Sequence, residues 1–430
     1  MSQNQNGKKA YHYIMFCLLT FVMGAVAGLI IWGILQFINQ GTAFVWEIIP
    51  KKAGLEHSLP YSLAVCLLGG LLIGLMRSKY GPMPDDTHQV MAQVKSTGGY
   101  SYDRLNIITI AVLLPLIFGG SLGPEAGLTG IIAGMCTLIG DNLKYKGDKL
   151  ATLAETGFAT SMALVFGSPF FGVINNLEPD DSTEHYREKL VSKKARIIIY
   201  CFGVAGGMLT MKAMGALTGL TGGLPRFGAK HAMGIDQWKW FIPLVLMGML
   251  AALIYTGLNE STRRLSAKLD SHPIIMCLIP AVFLALIGYF YPMAMFSGEH
   301  QLKELMGDWE TTEYTLLIAT AAAKLVLTTL CINFGWRGGS IFPIIFSGSA
   351  LGYAFALITG MDGTFAVAIL VAAMYGFITK KPIATVAILL LCFPITYILP
   401  IAAAALLVAA VSRGQAFCFT RLKKGDQDEN

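Results

Sequence analysis

Two short segments, Gly119-Gly120-Ser121-Leu122-Gly123-Pro124-Glu125 and Gly338-Gly339-Ser340-Ile341-Phe342-Pro343, each interrupt a long apolar stretch with a glycine pair, a serine and then a proline. They lie roughly half of the 430-residue chain apart. Glycine lets a helix unwind, and proline suits the first turn of the helix that restarts. The free amides and positive end of that new helix favour an anion. A helix broken at matching places in two halves of a membrane protein marks a transport site near the bilayer midplane. The groups expected to bind an anion are the main-chain amides and hydroxyls of Gly120, Ser121, Leu122, Gly123, Gly339, Ser340, Ile341 and Phe342. A single glycine-rich segment would more simply serve close helix packing; its recurrence favours the break. Glu125 stands in the first turn after the first break, where a carboxylate can cap the helix or act as a gate. Arg337, at the lip of the second break, and Lys324, inside an apolar run, are cations that could face an anion or snorkel to an interface.

The elements that must hold these segments are membrane helices. The composition is 54% hydrophobic and 13% charged, with mean hydropathy +0.59, against roughly 25% charged in soluble domains. Apolar stretches long enough to span a bilayer recur at Tyr13–Phe37, Tyr61–Met76, Trp238–Leu258, Ile274–Met293, Tyr314–Phe334 and Ile383–Val411. The fold expected is all-α and polytopic. The net charge of +6 gathers in Lys8-Lys9, Arg77/Lys79, Arg187–Arg196 and Arg421–Lys424, which fits cytoplasmic loops and cytoplasmic termini rather than nucleic-acid binding. The first apolar run is too long for a cleaved signal. The cysteines show no CxxC pair and the histidines no ligand spacing, so no metal or other cofactor is expected. HExxH is absent, and the one G-x-S-x-G match, Gly119–Gly123, has no histidine near it in sequence to serve Ser121 as a base, which argues against an intramembrane enzyme.

A second internal match supports two halves. Pro169, after Phe166-Gly167-Ser168, and Pro382, after Phe377-Ile378-Thr379-Lys380-Lys381, each re-enter an apolar run. One transmembrane domain is expected over 10–422, with a first repeat over about 10–222 and a second over about 236–411. Short cytoplasmic tails, 1–9 and 423–430, leave no room for a regulatory domain.

The chain resembles the CLC family of chloride channels and proton/chloride exchangers over nearly its whole length. Gly120-Ser121-Leu122-Gly123-Pro124 looks like the family's G-[KR]-E-G-P segment, and Gly339-Ser340-Ile341-Phe342-Pro343 looks like its G-x-F-x-P segment. The resemblance implies two inverted repeats with re-entrant helices and a homodimer with one anion pathway per subunit. It also implies chloride or a similar small anion as the transported partner, in a bacterial inner or plasma membrane. In this alignment the family's gating glutamate falls on Leu122, and the exchangers' inner glutamate falls on Pro179, beside Glu178. The pore serine falls near Gly81, with Met83 beside it, and the pore tyrosine falls near Phe417. With both glutamates displaced, the expected function is passive, proton-uncoupled anion transport. The alternatives are a proton-coupled exchanger using Glu125 and Glu178, or a channel for fluoride or nitrate.

Overall fold

The computed structural model describes residues 2–178, 192–219, 223–228 and 234–412. The expectations placed on Pro179, Phe417 and the C-terminal tail lie outside the described residues. The described chain is helical, and its one extended pairing is an isolated antiparallel bridge between Gly123 and Gly339.

The first half comprises α1 (Ser2–Ala43), α2 (Ile49–Ala53), α3 (Leu59–Tyr80), α4 (Thr87–Thr97), α5 (Leu105–Ile117), α6 (Glu125–Asn142), α7 (Asp148–Phe166), α8 (Pro169–Leu177) and α9 (Lys193–Thr218). The second comprises α10 (Phe241–Ala267), α11 (Pro273–Phe290), α12 (Glu299–Asp308), α13 (Tyr314–Asn333), α14 (Ile341–Thr359), α15 (Gly363–Thr379) and α16 (Pro382–Leu389), followed by α17 (Ile395–Ser412). The order helix, break, long helix, long helix, short helix occurs twice. It runs α5–break–α6–α7–α8, then α13–break–α14–α15–α16. The lengths after each break agree closely: 18, 19 and 9 residues against 19, 17 and 8.

Helices divide into an outer and an inner set. The most apolar windows of α3 and α9 are only 33% buried, and that of α11 39%, whereas α14 reaches 72%. The outer faces carry Leu68, Leu75, Leu209 and Leu250 exposed, which suits a hydrocarbon surround. Outer helices also pack tightly where they meet. A Cβ on Gly24 of α1 would lie 1.9 Å from the Gly203 carbonyl oxygen of α9, the close approach that small residues allow between membrane helices. The inner helices α6, α7 and α15 bury almost every side chain. Screened from lipid, α6 and α7 can carry Gly, Thr and Ser at many positions, while α15 stays strongly apolar and is short, at 17 residues.

Two boundaries differ from the sequence expectation. The apolar run Ile383–Val411 is two helices, not one, divided near Pro394, which cannot donate a helical amide. The helix after the first break starts at Glu125 with Pro124 as its N-cap, one residue later than the proline-first reading. It is buried on all sides over Glu125–Thr137 rather than amphipathic.

Candidate functional site

The two breaks touch. The Gly123 amide donates to the Gly339 carbonyl at 2.8 Å, and the Gly339 amide donates back to Gly123 at 2.7 Å. This reciprocal pair settles two donors that a broken helix would otherwise leave unpaired. It also sets the start of α6 beside the start of α14.

The first-break amides are spent on structure. Gly120 donates to Pro115 at 2.8 Å, Leu122 to Gly120 at 2.8 Å, and Gly123 to Gly339. These three amides, expected among the anion-binding groups, are engaged with backbone carbonyls in this arrangement. The Ser121 hydroxyl is likewise paired, 3.0 Å from the Thr328 hydroxyl of α13, both fully buried. Leu122, onto which the alignment put the gating carboxylate, is a fully buried packing residue. Its side chain lies against Gly338 and Gly120. Gly120 itself must lack a side chain, because a Cβ there would lie 2.6 Å from the Pro115 carbonyl oxygen and 3.1 Å from the Trp336 ring.

The carboxylate that faces the second break belongs to Glu125. Three residues is close to one helical turn, and the later helix start brings this side chain, not residue 122, to the meeting point. Glu125 Oε1 accepts the Ile341 amide at 2.8 Å. Glu125 is fully buried, and its Oε2 has no hydrogen-bond partner. The two bridging glycines make the slot that holds it. A Cβ on Gly339 would lie 1.9 Å from Glu125 Cδ, and a Cβ on Gly123 would lie 1.9 Å from Oε2. Of the second-break group, then, Gly339 and Ile341 meet at this point, with the Ser340 N-cap between them and Phe342 buried next in α14.

Three residues that sequence reasoning missed complete the surroundings. Tyr255 and Tyr375 are buried phenols close enough to Glu125 to interact with its charge, and Tyr375 also interacts with Glu178. Thr328 is the third. A tyrosine inside an apolar helix is a readable signal, since a buried phenol needs a partner. Which partner it takes is not readable. Glu178 mirrors Glu125: its two oxygens accept the Ile383 amide at 3.1 Å and the Ala384 amide at 2.7 Å, capping α16 from the other half of the chain.

A vestibule of about 810 Å³ opens onto the breaks, reaching Gly338 and Ala126. Gly81 lines it, together with Arg77, Asp85, Asp270 and Arg337; Met83 lines adjoining smaller cavities instead. The end of α4 near this space is already filled, because Asp86 caps it at 2.8 Å from the Gln89 amide. Arg337, one residue before Gly338, makes only 3.5 Å contacts with the Pro84 carbonyl and Gln89. Arg77 is paired with Asp270 at 3.4 Å.

The start of α14 from one half, meeting a buried carboxylate from the other beside an open vestibule, suits a membrane protein that handles anions. The chain belongs to the voltage-gated chloride channel family, whose model matches residues 69–413, and that is a family of anion transport proteins. YfeO of Escherichia fergusonii, a candidate ion-transport protein, is 24% identical over 362 residues, covering 80% of this chain and 79% of that one. Among solved structures, a slow cyanobacterial Cl⁻/H⁺ antiporter superposes with TM-score 0.79 at 16% identity, covering 93% of this chain and 94% of that one. A CLC-type fluoride/proton antiporter gives TM-score 0.74 at 19% identity over 94% and 96%. These likenesses establish the fold, and with it a multi-pass membrane protein.

Proposed function

We propose that the protein transports a small anion through the Gly123–Gly339 junction, and that Glu125 is both the gate and the group that links transport to protons. The observation that carries this is the seat of the Glu125 carboxylate. It lies in a slot between two glycines and takes the Ile341 amide at 2.8 Å. A negatively charged group already occupies the place that helix-end amides prepare for an anion. An anion and this carboxylate compete for the same donors.

Protonation decides the competition. The ionised carboxylate is held by charge-assisted hydrogen bonds worth about 1.5–3 kcal/mol. A protonated carboxyl loses most of that advantage and yields the amides to the anion. The partnerless Oε2 is the atom available for the proton. Flux should accordingly rise as pH falls through the titration of Glu125. The solved relatives include antiporters of chloride and of fluoride against protons, so both anions are the first substrates to try. Replacing Glu125 by Gln tests the proposal: flux should persist and its pH dependence should vanish. Unaltered rate and pH dependence would remove Glu125 from the mechanism.

The second reading is passive, proton-uncoupled conduction. Glu178 favours it, because both of its oxygens are committed to main-chain amides and the next position is Pro179. Proton exchange needs a second stop, and Tyr375, within range of both glutamates, is the group that could serve it. A homodimer with one pathway per chain, and cytoplasmic termini, belong to the same proposal and rest on the family and on charge distribution.

A further inference from the structure

A charged side chain that this pathway leaves unused is Lys324, at the middle of α13 and fully buried. It neither snorkels nor pairs with a carboxylate. Its Nζ donates to the carbonyls of Met293 at 3.2 Å, Met295 at 2.8 Å and Phe296 at 3.0 Å. It also lies 4.8 Å from the centre of the Phe346 ring on α14. An ammonium has three N–H donors, and three carbonyls take them. Stability alone would be served as well by an apolar side chain of the same volume, and an ionisable group at this depth calls for a function.

All three acceptors belong to one connection, Tyr291–Gly298, between α11 and α12. Phe296 there has φ of 59°, a left-handed backbone that a bulky residue holds only when its surroundings impose it. That backbone turns the Phe296 amide toward the first break, where it donates to the Gly119 carbonyl at 3.2 Å. The Phe296 ring meets Trp46 edge-on at 5.5 Å. The Trp46 indole in turn donates to the Ile117 carbonyl, at the end of α5, at 3.0 Å. Farther along the same face of α13, one turn on, the Thr328 hydroxyl meets the Ser121 hydroxyl at 3.0 Å.

We infer that Lys324 is a positioning residue for the anion site. Its ammonium straps Tyr291–Gly298 across the start of the first break, and so fixes where Gly123 and Glu125 stand against Gly339 and Ile341. The inference rests on the pathway proposed above for its effect on transport, but not for its effect on the backbone, and the test separates the two.

Lys324→Met, purified and checked for the parent's helicity, is examined by amide hydrogen exchange and by anion flux in proteoliposomes. Exchange should quicken by about tenfold or more in the segments 291–298 and 119–123 and stay at the parental rate in α7 and α15. The half-saturating anion concentration should rise roughly tenfold with a smaller change in maximal rate, and Lys324→Arg should restore much of the loss. Parental exchange over 119–123 in the methionine variant would overturn the inference, as would a parental half-saturation. If Lys324→Met does not fold, Lys324→Gln, which keeps two donors, takes its place in both measurements with the same criteria. A parent protein that moves no anion would defeat the proposed function, and the exchange data alone would then decide for or against Lys324.

Discussion

Gly339→Ala should unseat Glu125 without touching the carboxylate itself. The added Cβ would lie 1.9 Å from Glu125 Cδ, 2.0 Å from Oε1 and 2.4 Å from Cγ, distances no packing adjustment of a few tenths of an ångström can absorb. Gly339 is not among the residues with positive φ, so alanine fits the backbone, and the Gly123 bridge keeps both of its hydrogen bonds. Glu125 must leave the slot and surrender the Ile341 amide. One charge-assisted hydrogen bond is worth about 1.5–3 kcal/mol, which lowers occupancy of the closed arrangement by roughly 10- to 150-fold. In proteoliposome efflux, Gly339→Ala should run at neutral pH nearly as fast as the parent does in acid, with a flattened pH profile. The methyl group could also crowd the anion, and a double-mutant cycle separates that effect. In a Glu125→Ala background, Gly339→Ala should show only the crowding, so the difference between backgrounds measures what passes through the carboxylate. A Gly339→Ala protein with the parental rate and parental pH profile would refute the slot.

Other substitutions carry distinct expectations. Leu122→Glu, which alignment alone would pick to install a gate, should instead bury an unpaired carboxylate where a fully buried leucine packs. A loss of about 3–5 kcal/mol, seen as a lower unfolding temperature with no new pH-dependent flux, is the outcome to look for. Glu178→Gln keeps one acceptor for the Ile383 and Ala384 amides and should cost about 1–2 kcal/mol; anion flux should survive, and any loss of proton movement alone would mark Glu178 as a proton stop. Arg337→Gln removes a cation that lines the vestibule beside Gly338 and should raise the half-saturating anion concentration several-fold from that side only, with Arg337→Lys intermediate. Equal affinity from both sides of the membrane in the glutamine variant would return Arg337 to a packing role.

The helix breaks could be read from sequence because glycine pairs followed by proline are conspicuous in apolar runs, and because they occur twice. Register was harder to read: matching Gly123-Pro124 to a motif ending in Gly-Pro puts the family's glutamate position on Leu122, with Glu125 one turn on only as an alternative. The start of α6 at Glu125 shows that its side chain is the one turned toward α14. The outer helices were legible because lipid demands apolar sequence. The inner α6 and α7 were less so, since protein surrounds them and hydropathy no longer constrains them; α15 is apolar throughout but, at 17 residues, short for a span. Ile383–Val411 looked like one span because its two prolines, Pro394 and Pro400, do not by themselves say which of them divides it. Lys324 was visible as an anomaly, but its three carbonyl partners sit about 30 residues away in a turn with no motif. Tyr255, Tyr375 and Thr328 gain their places by tertiary contact alone.

The most direct test is simultaneous recording of anion efflux and external pH from proteoliposomes, with chloride and then fluoride, for the parent and for Glu125→Gln. A parent whose anion gradient drives protons, beside a glutamine variant that passes the anion, moves no protons and ignores pH, is the predicted pair. A variant as fast, as proton-coupled and as pH-sensitive as the parent would contradict the assignment of Glu125 as gate and proton carrier.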